Sequence, residues 1–205
     1  MAMESAAADP SEPTTAEVLI TCIDGALHAE RWKPAEVRIA PPGITAVAWT
    51  APDRTVHLMV TCATGEPLTA DLTGHPAGHP ATAIWSFSIT DPTEQQLLAS
   101  ARAAADHRLR EVVNFAARLE RAGWTLRLDD KPPETLCQIT SADERLTLTR
   151  HSGDKHQPGG WTLTGDGLRA DATDDTPTAV LAALITRGPV PTSTATEPEA
   201  TPAQQ

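Results

Sequence analysis

Thr50-Ala51-Pro52-Asp53-Arg54-Thr55-Val56-His57-Leu58 can be laid, position by position, on Thr140-Ser141-Ala142-Asp143-Glu144-Arg145-Leu146-Thr147-Leu148, ninety residues further along the chain. Each segment leaves a strand, turns at an aspartate and re-enters a strand with alternating apolar residues (Val56 and Leu58; Leu146 and Leu148), the pattern of a β-hairpin. Thr90-Asp91-Pro92 before one helical stretch answers Asp175-Thr176-Pro177 before another, at a spacing of eighty-five. The five-residue difference falls in a Gly/Pro-rich loop, where chain length changes at little entropic cost. The pattern reads as an internal duplication. Each unit has a turn-linked strand pair, a loop, a further strand and a proline-started helix.

Outward from the first hairpin, Ile44–Thr50 and Thr55–Thr61 are its strands, and a Gly/Pro/His-rich loop covers about 63–82. Ala83–Ile89 follows as a strand. Glu17–Ile23 (EVLITCI), rich in β-branched residues and closed by Asp24-Gly25, reads as an opening strand, as does Val37–Ile39. In the second unit Trp124–Leu128, Leu136–Thr140, Arg145–Thr149, Trp161–Leu163 and Leu168–Ala172 read as short strands. Between the units the period changes to about 3.6: Leu98, Ala101, Ala105, Leu109, Val112, Ala116 and Leu119 recur at helical steps. Asp91 with Glu94 three residues on predicts the helix start, and Gly123 its end. So long a helix is expected to break near Asp106-His107. A last helix is expected after Thr176-Pro177, with Thr176 as N-cap and Val180, Leu181, Leu184 and Ile185 as its apolar stripe. The expected fold is α+β: two small antiparallel-sheet units, each followed by a helix, with a long central helix between them. The units span 17–105 and 106–187. The tails 1–16 and 188–205, rich in Pro, Ser, Thr, Ala and Glu, are expected to be disordered.

The 205 residues carry a formal net charge of −11, and an acidic surface of that kind repels a phosphate backbone. Five Trp, two Phe and no Tyr leave tryptophan as the large core anchor. Three widely spaced cysteines (Cys22, Cys62, Cys137), with no CxxC, fit reduced thiols in a cytoplasm better than a disulfide framework. No secretory leader, lipid-anchor motif or bilayer-length apolar run is expected.

A helix running into Ala122-Gly123-Trp124, short strands, and then Thr176-Pro177-Thr178-Ala179-Val180-Leu181-Ala182-Ala183-Leu184 resembles the bacterial domain of unknown function numbered 317. The clearer copy would cover about 107–187 and the weaker one about 44–105. The resemblance implies tandem copies in a small protein. The pattern is departed from at Leu168-Arg169-Ala170, at Asp91-Pro92, and in the first copy's lack of a Gly-Trp. The resemblance implies no activity and assigns no catalytic residue.

Neither a phosphate-cradling GxxxxGK[ST] nor a GxGxxG is present, nor a GxSxG elbow or an HExxH helix. His75 and His79 stand four apart and could join Cys62 or Asp71 around zinc. With Pro76, Gly78 and Pro80 among them they read as loop histidines, as do His151 and His156, so no metal or cofactor is assigned. Asp129, Asp130, Asp171, Asp174 and Asp175 read as turn and capping carboxylates. Arg102, Arg108, Arg110, Arg118, Arg121 and Arg127 gather on and just beyond the central helix, with Arg110, Asn114, Arg118 and Arg121 sharing one face. Asp106, four before Arg110, favours an ordinary solvated face.

The resulting expectation is a non-enzymatic, intracellular interaction or regulatory protein with a protein partner. The alternatives are a DNA-associated protein using Arg110, Asn114, Arg118 and Arg121, or an enzyme with an unrecognised site in the Gly/Pro/His loop.

Overall fold

A helix occupies the segment whose composition predicts the first strand. In the computed structural model, which describes residues 15–37, 43–77, 79, 82–106, 115–127, 135–153 and 159–186, the chain opens with α1 (Thr15–Ala29). The strand expected at Glu17–Ile23 is therefore helical, and Asp24-Gly25 lies inside the helix instead of in a turn. A short apolar run fits either state. Here Ile23 and Leu27, four apart, are the residues fully withdrawn from water.

Five strands follow: β1 (Lys33–Ala35), β2 (Ile44–Thr50), β3 (Val56–Ala63), β4 (Thr69–Gly74) and β5 (Trp85–Thr90). Then come α2 (Glu94–Ala105) and α3 (Phe115–Arg121), five more strands, β6 (Thr125–Arg127), β7 (Thr135–Thr140), β8 (Thr147–His151), β9 (Gly160–Gly165) and β10 (Leu168–Thr173), and α4 (Thr178–Thr186). The order helix, five-strand meander, helix thus occurs twice. β4 lies inside the stretch read as a loop; Val37 falls outside β1, and 38–39 lie outside the described residues.

The expectation of two separate small sheets is overturned. All ten strands form one antiparallel sheet in the order β1-β2-β3-β4-β5-β10-β9-β8-β7-β6. The two meanders meet edge to edge, with Thr90, Ile89, Ser88 and Phe87 opposite Arg169, Ala170, Asp171 and Ala172. The physical reason is that each meander alone would leave the last strand's N–H and C=O groups unpaired on an inner edge. Joining those edges satisfies both and gives two marginal units one core. The edges that remain are three residues long each, and β1 carries Lys33 and Pro34, which oppose further pairing.

The long central helix is also overturned. α2 stops at its C-cap Asp106, close to the expected break, and α3 is a separate helix; 107–114 lie outside the described residues. The start of α2 lies two residues beyond the predicted cap. Thr93 is the N-cap, its hydroxyl accepting from the Gln96 amide while the Gln96 side chain accepts from Thr93 N–H. Asp91 sits at φ +50° and accepts instead from the Leu68 amide. Thr176 likewise sends its hydroxyl to the Ser86 carbonyl at 2.8 Å, fastening the approach to α4 across the β5–β10 seam.

One face of the sheet is apolar. The cross-strand row Val47–Val60–Ala70–Ile89–Ala170–Leu163–Leu148–Ile139–Leu126 crosses nine strands. The helices cover this face. Leu97, Ala101, Val180, Leu181 and Leu184 join the strand residues in one core, Asp24 of α1 accepts from Trp49 Nε1 at 2.7 Å, and Phe115 of α3 meets Trp161 edge-on.

The two halves agree in local detail. Ala51 N donates to Val56 O and Arg54 N to Ala51 O in the first hairpin turn; Ser141 N to Leu146 O and Glu144 N to Ser141 O repeat this ninety residues later. Arg54 and Glu144 both take positive φ, at 63° and 57°. α1 and α3 end alike: Trp32 N reaches Leu27 O as Trp124 N reaches Leu119 O, each past a residue at positive φ, Arg31 (68°) and Gly123 (82°). The Gly-Trp that the first half lacks in sequence is thus Arg31-Trp32 in space. A side chain in the left-handed region costs about 1 kcal/mol. Arg31→Gly is therefore expected to raise the urea midpoint, by a stabilisation of roughly 0.5–1 kcal/mol. An unchanged or lowered midpoint would contradict this reading of the α1 terminus.

Candidate functional site

The second face of the sheet presents side chains of a different kind. Because successive residues alternate across a strand, every core row has a polar row beside it. One runs Thr61–Thr69–Thr90–Arg169–Thr164–Thr147–Thr140–Thr125, and a second runs Met59–Asp71–Ser88–Asp171–Thr162–Thr149–Gln138. Among the described residues no helix packs on this face. At its centre, over the β5–β10 seam, a shallow groove of about 800 Å³ is lined by Met59, Asp71, Ser88, Thr162, Arg169 and Asp171 among others. Asp171 accepts from Arg169 Nε at 2.9 Å and from the Thr162 hydroxyl at 2.8 Å, so the central cation is neutralised where it stands. Met59, 39% exposed, and the half-buried Trp161 are the large apolar residues lining the groove.

Two clefts lie at the ends of the α2/α4 pair. The larger, about 940 Å³, has Leu98, Leu146, Leu168 and Leu184 in its wall and Arg102, Arg145 and Asp166 at its rim. Both arginines are engaged: Arg102 with Glu30 at 2.5 Å and Arg145 with Asp166 at 2.8 Å. The smaller, about 340 Å³, has Thr55 and Val56 where the larger has Arg145 and Leu146, with His75, Asp106, Asp174 and Asp175 around it. The larger cleft thus mixes Asp91, Glu94 and Asp166 with its two arginines, whereas the smaller has carboxylates and His75.

Beside the smaller cleft, His75 does not associate with His79, which is exposed on the loop. It packs on His57 of β3, with ring centroids 4.6 Å apart, and its Nε2 lies 2.9 Å from Thr73 Oγ1. Burial, and then the neighbouring His75 ring, hold the His57 imidazole below its ordinary pKa of 6.5. Above that pH both folded and unfolded states are neutral at this residue. As pH falls through 6.5 toward the lower folded-state value, the unfolded chain takes up the proton first, so stability declines. Measured in EDTA-containing buffer, His57→Gln is expected to flatten that part of the stability–pH curve; an unaltered slope would contradict it.

Of the arginine face, Arg110 and Asn114 lie outside the described residues, as do Asp129 and Asp130. Arg118 belongs to α3 without a described side chain, and Arg121 is exposed at the end of α3. Asp174 pairs with Arg150 at 3.3 Å, and the Arg150 guanidinium lies over the Trp161 ring. Among the described residues no group of three or more His, Cys, Asp or Glu is placed to hold a metal ion, and no helix is long and apolar enough to cross a membrane. The open face, the groove and the His57–His75 contact were not found from sequence. The alternation of β4 (Thr69, Asp71 and Thr73 against Ala70 and Leu72) was the signal that could have exposed the first two.

No known family matches the chain, and neither a curated protein nor a solved structure is found to be similar to it.

Proposed function

We propose that the protein is a non-enzymatic interaction protein that takes a protein partner on the helix-free face of its sheet. The observation carrying this reading is the groove over the seam, where threonine and serine hydroxyls, Asp71, Asp171 and Arg169 stand with Met59 and Trp161 on strands of one sheet. Such a face sets hydrogen-bonding groups at fixed spacing beside apolar surface from Met59 and Trp161, the mixed composition of a non-obligate interface. The net charge of −11 and the Asp171 carboxylate beside Arg169 argue against a phosphate backbone as the occupant. Cys22, Cys62 and Cys137 are all unbridged, which supports a reducing compartment. Duplication of one unit is part of the reading, supported by the equivalent hairpin turns and helix ends.

The test compares affinity capture from the native host by three tagged chains: wild type, the double variant Met59→Arg/Ser88→Arg, and Gln95→Arg on the exposed side of α2. The expected result is a specific protein held by wild type and Gln95→Arg and lost by the double variant. A partner indifferent to the double variant, or turnover of a substrate in a purified preparation, would overturn the proposal.

A further inference from the structure

His57 and His75 form a contact that the interaction reading does not use. On each ring one nitrogen, Nε2 of His57 and Nδ1 of His75, is buried and has no hydrogen-bond partner. A buried polar atom without a partner costs free energy, and two in one contact call for a shared explanation. We propose that the two rings form a bidentate site for a divalent transition-metal ion of borderline softness, Zn²⁺ being the reference case, bound through His57 Nε2 and His75 Nδ1.

Three features support it. Thr73 is the cross-strand partner of His57 and holds His75 through Nε2. With Nε2–H donating to the Thr73 hydroxyl, the Nδ1 lone pair is free and aimed by an outer-shell contact, as ligating histidines usually are. Two imidazole nitrogens on one tetrahedral ion at Zn–N bonds of 2.0–2.1 Å stand about 3.3 Å apart. Ring centroids 4.6 Å apart, with the planes tilted at 55°, are compatible with that separation. His75 also lines the smaller cleft with Asp106, Asp174 and Asp175; Asp174 is paired with Arg150, and the other two carboxylates add negative potential beside the rings. Because no third protein ligand among the described residues completes the set, the remaining coordination positions belong to water or to a donor group from outside the chain.

The test uses the full chain, freed of metal by chelation and titrated with ZnCl₂ alone, read by calorimetry and by the ring-nitrogen NMR shifts of the histidines. The expected result is saturable binding of one Zn²⁺ per chain, with coordination shifts at Nε2 of His57 and Nδ1 of His75. Loss of an outer-shell partner already weakens metal sites roughly tenfold or more. His57→Gln and His75→Gln should each do at least that, while His79→Gln leaves binding unchanged. Absence of saturable binding, or a site that survives both substitutions, overturns the proposal. Should a variant lose its native circular dichroism, the wild-type ring-nitrogen spectrum decides: shifts confined to other histidines, or none, overturn it.

Discussion

Trp49→Ala is expected to destabilise the protein by about 4 kcal/mol, within the range for removing a buried large aromatic. Trp49 is 1% exposed on β2, opposite Pro34 of β1 and Leu58 of β3, and its Nε1 donates to Asp24 of α1. Two effects are combined in it, and they can be separated. The hydrogen bond from Nε1 to Asp24 is worth about 1–2 kcal/mol with a charged acceptor. Asp24 is solvated, so Asp24→Ala should cost about 1 kcal/mol, and Trp49→Phe a little more because some ring volume is lost as well. Urea midpoints of the three variants order the contributions. If Asp24→Ala matched Trp49→Ala, the hydrogen bond and not burial would be holding α1, and the packing account would be wrong.

The second large effect is expected at Gly165, the last residue of β9. Its φ of +136° lies where residues with a side chain rarely go. A Cβ built there would also collide with the carbonyl oxygen of Arg145, where the chain enters β8. Backbone cannot swing aside as a long side chain does. Gly165→Ala is therefore expected to cost about 3 kcal/mol, from strain and from displaced pairing at the β8–β9 end. The Arg145–Asp166 ion pair beside it, partly exposed on both sides, is worth little by itself. Arg145→Ala thus serves as the control, with a shift below about 1 kcal/mol. A Gly165→Ala protein as stable as wild type would contradict the close approach of these two backbones.

What could be read from the sequence was local. The hairpin turns around Asp53 and Asp143 are specified by residues that make the turn themselves. Asp53 accepts from Thr55 N and Asp143 from the Ser141 hydroxyl, the latter bond keeping the Asp143 carboxyl below its ordinary pKa. Gly123 is legible as a helix terminator because it carries its own conformational preference. The equivalent terminator Arg31 is not, since nothing in an arginine announces a left-handed backbone. α1 is ambiguous in sequence because Val18-Leu19-Ile20 followed by Ile23 suits a buried strand as well as a helix, and only the burial of Ile23 and Leu27 in the shared core and the Trp49–Asp24 hydrogen bond decide between them. The joining of the halves was illegible for a deeper reason. Residues 87–90 and 169–172 show ordinary strand alternation, and no residue type marks an edge as destined for another strand eighty residues away. The His57–His75 contact depends on the β3–β4 register, which places Thr73 opposite His57, and so could not be found before β4 was recognised.

The central claim is that the two meanders are one sheet closed at β5–β10, with the groove of the open face lying over that junction. Backbone NOEs in a uniformly labelled sample test it most directly. The expected result is a continuous set of cross-strand NOEs linking residues 87–90 to 169–172, alongside those of β5 with β4 and of β10 with β9. NOEs from β5 to β4 alone and from β10 to β9 alone would mean two separate sheets, and would remove both the shared core and the groove built upon the seam.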